Sequence, residues 1–429
     1  MRAPPGRQRW LAVALALFAL AVGLTLFRLT RWSSAAGFSL KAEWAMFDFR
    51  ASVYYPAVAF LNGDNPYDHE QFLAHYPMEG AFPVYPPAIL LVHLPFGLMS
   101  YAHAVAAFYL YTIALTVVVA FMAVRMNGLP ESAALVLTVA SVMILSRPGH
   151  MNLLLGQDTL LYIIGTYLAI DCAETSPGWS GLGVSLAFLK PTLGFPLVLL
   201  MLVQKRFRAI LHATGIGALM NLPPLLILIY NSGGVAPFLH SLVSNFRARG
   251  HDPGVNPLTS PGNLNVHVSG VVSRLADRPL GTVGEATILL VVLGVAAVAL
   301  RVLIEQNGRE ARALATTVVA LAALTGIHHQ PYDLLLLTLP CVALLGRRFP
   351  AAFYAPRLYW SLVVLLAVLA FNYVATFSGV AALGLSGLPL RLVIEVNPIA
   401  LLALFVLVVT TLIVKRRPIV AELASRSGS

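Results

Sequence analysis

Residues 41–87 read KAEWAMFDFRASVYYPAVAFLNGDNPYDHEQFLAHYPMEGAFPVYPP. The stretch follows the first apolar run and is itself too polar to cross a membrane. It holds six of the chain's eighteen acidic residues: Glu43, Asp48, Asp64, Asp68, Glu70 and Glu79. It also carries Trp44, Tyr54, Tyr55, Tyr67, Tyr76 and Tyr85. Aromatic rings with polar tips favour the membrane–water interface. Helix-compatible runs at 39–50 and 55–62 are expected to lie along that surface rather than cross it. Gly63-Asp64-Asn65-Pro66 breaks the second run, since these are turn residues. The stretch reads as an interfacial lid that presents an acid to the membrane surface.

Composition sets the class. Of 429 residues, 58% are hydrophobic and 11% charged, and the mean hydropathy is +0.80. Soluble domains carry about 25% charged residues, so the chain reads as an all-α integral membrane protein. Cys172 and Cys341 both lie in or beside apolar runs. They offer neither a disulfide framework nor a cysteine metal site. The net charge of +10 does not point to nucleic acid, because the basic residues punctuate apolar helices. Arg2, Arg7 and Arg9 precede an apolar run that reaches Phe27, long enough for an uncleaved first helix. No internal repeat, low-complexity tract or boundary divides the chain, which reads as one membrane domain over 1–429.

Thirteen apolar runs follow: 10–27, 88–99, 101–124, 132–145, 153–170, 179–189, 193–203, 209–230, 287–303, 313–327, 334–345, 358–377 and 392–414. Several are shorter than the ~20 residues a straight span needs. Short runs in pairs suggest broken or re-entrant helices, tolerated only where protein buries them or they line a cavity. Basic residues orient the bundle. With Arg125, Lys205-Arg206, Arg208, Arg301, Arg309, Arg312, Arg347-Arg348 and Lys415-Arg416-Arg417 in the cytoplasm, loops 41–87, 146–156, 231–285, 328–333 and 378–389 face outward. Both termini are then cytoplasmic, which requires an even number of crossings. Proline-flanked 88–99 is the candidate for the segment that does not cross, so 12–13 hydrophobic segments are expected. The loop 231–285 joins an amphipathic piece, VAPFLHSLVSNFRARG, to a turn-rich one. It is expected to cover the same outer face.

Four constellations could carry chemistry. Asp48, between Phe47 and Phe49, lies about twenty residues after the first span. An acid held beside aromatic rings can have a raised pKa, which suits a general base; the bland alternative is a solvated residue paired with Arg50. Lys190, in LAFLKPTLGFP, sits between two runs too short to cross separately. A buried ammonium needs a cavity, an anion or a partner such as Asp158. Gly156-Gln157-Asp158 opens a helix whose free N–H groups favour an anion or sugar hydroxyl, or Asp158 is simply the cap. His328-His329 with downstream Asp333 could bind phosphate, shuttle protons or ligate metal, though no third ligand is evident. Arg50, Arg147, Arg247, Arg249, Arg274 and Arg278 fall on the outer side, against the cytoplasmic bias. Lipid headgroups or a lipid-linked phosphate substrate would account for them.

Together these pieces resemble the polytopic glycosyltransferases of the GT-C fold, most closely glycosyltransferase family 87. The pieces are DFRASVYYPAVAFLNGDNPYD, VYPPAILLVHLPFGLM, LLLGQDTLL, LAFLKPTLGFPLVLLMLVQKRFRA and HHQPYDLLLL, in order from Asp48 to Leu337. The resemblance implies a helical membrane bundle with interfacial helices in its first outer loop. It implies a polyprenyl-phosphate-linked sugar donor, mannose or a related hexose or pentose. It also implies a lipid or glycan acceptor, inversion at the anomeric carbon, and Asp48 as the catalytic base. Lys190, His328, His329, Arg247 and Arg249 are then expected to hold the donor phosphate. Tyr54, Tyr55, Tyr85, Gln157 and Asp158 are expected to meet sugar or acceptor. Neither a metal nor another cofactor is expected. The site is expected to face the periplasm or cell exterior from the inner membrane. Tyr54-Tyr55 lie further from Asp48 than the pattern suggests, and residues after Tyr354 match none of it. The rival reading is a transporter or flippase, which broken helices and a buried lysine suit equally well.

Overall fold

The computed structural model describes residues 5–33, 45–78, 80–250, 265–304, 306 and 308–427. Among them there is helix and turn but no β-strand. The chain enters through α1 (Pro5–Ser33). The first loop holds α2 (Phe47–Phe49), a π-helical turn (Arg50–Tyr54), α3 (Tyr55–Leu61) and α4 (His69–His75). Next come α5 (Ala88–Gly97), α6 (Tyr101–Met126), α7 (Ala133–Leu145), α8 (Arg147–Leu155), α9 (Thr159–Asp171), α10 (Pro177–Phe188) and α11 (Pro191–Val203). They are followed by α12 (Phe207–Asn231), α13 (Val235–Gly250), α14 (Val268–Leu275), α15 (Gly281–Arg301) and α16 (Arg309–Gly326). A 3-10 turn (Pro331–Leu337) then leads into α17 (Thr338–Leu345), and a second one (Ala351–Tyr354) into α18 (Pro356–Phe371), α19 (Phe377–Ala382), α20 (Gly387–Val414) and α21 (Arg416–Ser427).

Five helices are long and apolar enough to cross a bilayer: Gln8–Thr30 within α1, α6, α12, α15 and α20. Shorter helices break where the sequence supplies prolines at a first turn, which lack the N–H that would be orphaned there anyway. Pro148, Pro177, Pro191, Pro331 and Pro356 all open helices this way. The centre of the bundle is α16, buried on every side from Ala313 to Gly326, as a helix apolar all round must be. The peripheral helices instead expose large apolar side chains, such as Leu15, Leu20 and Phe27 of α1 and Leu211, Leu219 and Leu226 of α12. Lipid, not water, suits such faces. Between α9 and α10 the backbones touch: a Cβ on Gly183 would stand 2.4 Å from the Ala169 nitrogen. Small residues permit that approach.

Two expectations need correction. Run 153–170 is not one helix, because α8 ends at Leu155 and α9 starts at Thr159, with Gly156 left-handed (φ 73°) between them. The surface run 39–50 extends outside the described residues. Its described end, α2, continues through the π turn into α3, so 47–61 is one bent helical segment. The turn at 63–66 is present, with Gly63 at φ 83° and Asn65 Oδ1 accepting from Tyr67 N at 3.0 Å. The amphipathic piece of the second loop forms α13 over its whole length.

Helix α5, ten residues long, is shorter than a straight span needs. Its first amide, Ala88 N, donates to Asn221 Oδ1 (3.0 Å), more than halfway along α12. Its last residue, Gly97, lies against Ala57 and Leu61 of α3. Segment 81–87 thus descends into the bundle and α5 climbs back.

Candidate active site

Asp333 is the hub of the buried polar residues. It opens the 3-10 turn after α16 and is 1% exposed. Four donors converge on it: Lys190 Nζ (2.5 Å), His329 Nδ1 (2.9 Å), the Gln330 amide (3.2 Å) and Thr159 Oγ1 (3.3 Å). Pro191 breaks the chain after α10, so Lys190 stands at the start of α11 and can reach across to α16's end. Its ammonium also lies 5.1 Å from the Tyr332 ring centroid. The partner of Lys190 is therefore Asp333, not Asp158. Lys190 donates three N–H bonds and Asp333 accepts one of them.

Asp158 has its own partners. It occupies the cap position of α9, but its side chain does not cap. One oxygen accepts from Tyr111 OH (3.1 Å) and the other lies 3.1 Å from His93 Nε2. Both Asp158 and His93 are buried. Sequence reading had no role for His93 or Tyr111. The only trace of them was a polar residue inside an apolar run, LLVHLPF and YLYTIAL. Gln157, also buried, follows Gly156 in the same turn.

Asp48 is half-buried on α2. Its neighbour Phe49 is fully buried and packs against Phe96, Tyr101 and Phe108, with ring centroids 6.2, 6.2 and 4.7 Å away. Met46, left-handed at φ 58°, donates its amide to Leu154 O at 2.7 Å. A Cβ on Gly156 would meet Phe49 Cβ at 2.5 Å. The α2 turn is therefore clamped onto the C-terminal end of α8. A π-helical turn follows directly, a device common at functional sites. Tyr54 and Tyr55 pack in a ring cluster with Tyr101, and Tyr54 OH donates to Met99 O (3.1 Å).

Arg249, in the last turn of α13, donates to Ala81 O at 3.3 Å, and Asn245 of the same helix donates to Phe82 O at 2.8 Å. This fastens α13 over segment 81–87. Arg247 is exposed, and two helical positions separate it from Arg249 by about 160° around the axis, so the two do not share a face. His328 lies against His267, with centroids 5.0 Å apart. Burial, the neighbouring His329, Lys190 and Arg249 push its imidazole down to about 3, against the pull of Asp333. It is a neutral ring at physiological pH. His329 is buried, gives Nδ1 to Asp333, and leaves Nε2 without a hydrogen-bond partner.

These groups meet around Tyr85. Burial raises its hydroxyl, the Arg249 charge opposes that shift, and the carboxylates of Asp333, Asp48 and Asp158 add to it. Tyr85 thus stands within electrostatic reach of the first loop, the α8–α9 turn, the α13 end and the turn after α16. Lys190, at the α10–α11 break, joins them through its pair with Asp333. Among the described residues no three His, Cys, Asp or Glu side chains are arranged to hold a metal ion.

The family model of glycosyltransferase family 87 matches residues 83–326, more than half of the chain. The chain belongs to glycosyltransferase family 87. No curated protein and no solved structure gives a match. The matched range of this family 87 chain includes Tyr85, Gln157, Asp158, Lys190, Arg247 and Arg249. It stops short of Asp48 on one side and of His328, His329 and Asp333 on the other. The chain is accordingly a membrane glycosyltransferase, and its transporter reading falls away.

Proposed function

We propose that this family 87 enzyme moves a sugar from a polyprenyl-phosphate donor to a lipid or glycan acceptor, with inversion. The donor sugar is mannose or a related hexose or pentose. The polyprenyl tail lies in the bilayer and the phosphosugar enters the space around Tyr85. Asp48 takes the proton of an acceptor hydroxyl as that oxygen attacks the anomeric carbon. The bond from that carbon to the phosphate oxygen breaks, and polyprenyl phosphate leaves with both electrons. Negative charge grows on the leaving phosphate, where Arg249 and the two remaining N–H groups of Lys190 would meet it. His329 would add its free nitrogen only if protonated, and its neutral form instead orients through Asp333. Fixed charge at the position where charge develops is commonly the largest catalytic term. The observation that supports this reading is an acid, Asp48, on a turn packed against Gly156 through Phe49, acting on the same Tyr85 hydroxyl as the Arg249 cation, with Lys190 held nearby on Asp333.

The test is Asp48→Asn, assayed with a polyprenyl-phosphate sugar and membrane extract as acceptor. The amide keeps the shape but cannot accept the proton. General-base catalysis supplies about 10²–10⁴-fold, so turnover should fall at least a hundredfold while donor binding holds. Asp64→Asn serves as the control, since Asp64 accepts from Tyr76 OH (2.8 Å) and faces His75 instead. Near wild-type transfer by Asp48→Asn removes Asp48 from the mechanism. A dead Asp158→Asn variant beside it would move the base to the α8–α9 turn.

A further inference from the structure

Helix α8 begins with a buried arginine that has nothing to bind. Arg147 is 1% exposed, and its Nε, Nη1 and Nη2 all lack a hydrogen-bond partner. Among the described residues no carboxylate pairs with it. The other outer arginines differ: Arg274 forms a bidentate pair with Glu395 (2.5 and 3.0 Å), Arg249 donates to Ala81, and Arg278 is exposed. A guanidinium stays charged and offers five donors, so burying it unpaired is among the least favourable arrangements a chain can hold. Ser146 cannot relieve it, because its Oγ caps the helix through Gly149 N (3.2 Å) and donates to Met143 O (2.6 Å).

The surroundings add charge of the same sign. Arg28, near the end of α1, places Nη1 2.8 Å from His150 Nε2. A guanidinium only donates, so His150 accepts there and carries its proton on Nδ1. Tyr373 closes the group from the turn after α18. Its hydroxyl donates to Leu145 O at 2.7 Å and its ring stands 6.4 Å from that of His150. Arg28 thus reaches the helix turn that Arg147 opens, since His150 lies three residues after Arg147 on α8; burial raises the Tyr373 hydroxyl, and the charges of both arginines oppose that shift. Phe371 and Val374, on either side of Tyr373 in sequence, are exposed apolar side chains.

We propose that Arg147, with Arg28 and His150, binds a phosphate group at a second site, separate from the one around Tyr85. The planar fork of arginine matches phosphate oxygens bidentately, and a phosphate would satisfy donors the protein leaves unmet. The two sites lie at opposite ends of α8, whose nine residues span roughly 13 Å. The ligand is a phosphate ester of a membrane lipid or inorganic phosphate, and the experiment separates these sources.

Purified full-length protein, stripped of lipid by detergent exchange, is followed by thermal unfolding. One arm adds phosphatidylglycerol to the micelles, a second adds inorganic phosphate, and a third adds uncharged diacylglycerol. Wild type should be stabilised by phosphatidylglycerol, by phosphate or by both, but not by diacylglycerol. Stabilisation by phosphatidylglycerol alone identifies a lipid headgroup; stabilisation by phosphate as well identifies the free anion as sufficient. In Arg147→Met the half-saturating concentration should rise at least about tenfold, the loss of one charge-assisted pair, while Arg147→Lys retains part of the affinity. Stripped Arg147→Met should unfold no earlier than stripped wild type, since the substitution removes an unpaired charge. The proposal fails if neither additive stabilises wild type or if both stabilise Arg147→Met equally. It also fails if the stripped Met variant unfolds well before wild type.

Discussion

Lys190 and Asp333 form a buried ion pair of the candidate site, at 2.5 Å and with side-chain exposures of 10% and 0%. Removing one partner of such a pair is expected to destabilise by about 3–5 kcal/mol, because it strands the other charge. Lys190→Met and Asp333→Leu should each show a loss of that order in detergent unfolding. The double variant should recover part of it, with a coupling of about 1–3 kcal/mol. The unrecovered part belongs to His329, Thr159 and the Gln330 amide, which lose their acceptor. A coupling near zero would make the pair a contact without energetic weight. Donor use gives the second readout: Lys190→Arg keeps the charge and should keep part of the activity, whereas the folded double variant should lose donor affinity. In sequence, Lys190 was conspicuous because a charge in an apolar run needs an explanation. Its partner was not legible: the sequence reading offered Asp158, and only the folded chain brings Lys190 to Asp333. Arg147 illustrates the same limit, since its place among the outer arginines was readable but its isolation was not.

Two adjoining helices decide where Asp48 stands. The end of α8 turns at Gly156, and there α2 rests directly on the backbone, Phe49 Cβ being 2.5 Å and Met46 Sδ 2.8 Å from the position of an added Cβ. Gly156→Ala must therefore either shift α2 or abandon the left-handed turn. The positive φ alone costs an alanine about 1–2 kcal/mol, and the shift moves Asp48. Turnover should fall by more than the stability loss explains, since even a small misplacement of a reacting group can cost about 10²-fold. Gly183→Ala is the comparison. It crowds α9 against α10, 2.4 Å from the Ala169 nitrogen, and should lower stability as much or more. The protein that remains folded should transfer sugar at a near-normal rate. If both variants lose activity only in proportion to stability, the Gly156 contact does not position the acid. The apolar helices were legible, because apolar runs mark their lengths and prolines several of their starts, whereas α4, α8, α14 and α19, in stretches read as loops, and the polar α21 were not. The break at Gly156 was not, because LLLGQDTLL keeps its apolar pattern on both sides of the glycine. The convergence of α5 and α6 on Asp158, at the start of α9, was likewise hidden, as it depends on how the helices pack.

At the scale of the whole molecule, the described turns sort onto two faces. On one, Arg348 Nη2 donates to Gly128 O (3.1 Å) and Arg426 pairs with Glu310 (3.7 Å). Glu422 accepts from Ala351 N (2.8 Å), and Arg312 pairs with Asp171 (3.1 Å). Arg206 pairs with Glu174 on that same side, beyond the end of α9. The turns after α6, α9, α15 and α17 and the C-terminal helix α21 are thereby joined. Trp10 and Leu11 of α1 share a surface depression with Ser132 and Leu135, which brings the N-terminal end of α1 to this face as well. The opposite face carries α2 to α4, the α8–α9 turn, α13 and the α16–3-10 loop, that is, every group around Tyr85. Basic residues crowd the first face, and membrane proteins retain such loops in the cytoplasm. The site is therefore expected to open away from the cytoplasm, on the side where a lipid-linked donor would be delivered. Gln71→Cys, exposed on α4, should react with a membrane-impermeant maleimide in intact cells, while Arg417→Cys, exposed beside α20, should react only after permeabilisation. The reverse pattern would turn the enzyme over and put sugar transfer on the cytoplasmic surface. Labelling of both in intact cells would contradict the pairing of the two termini on one face. It would then require α5, or one of the short broken helices, to cross after all.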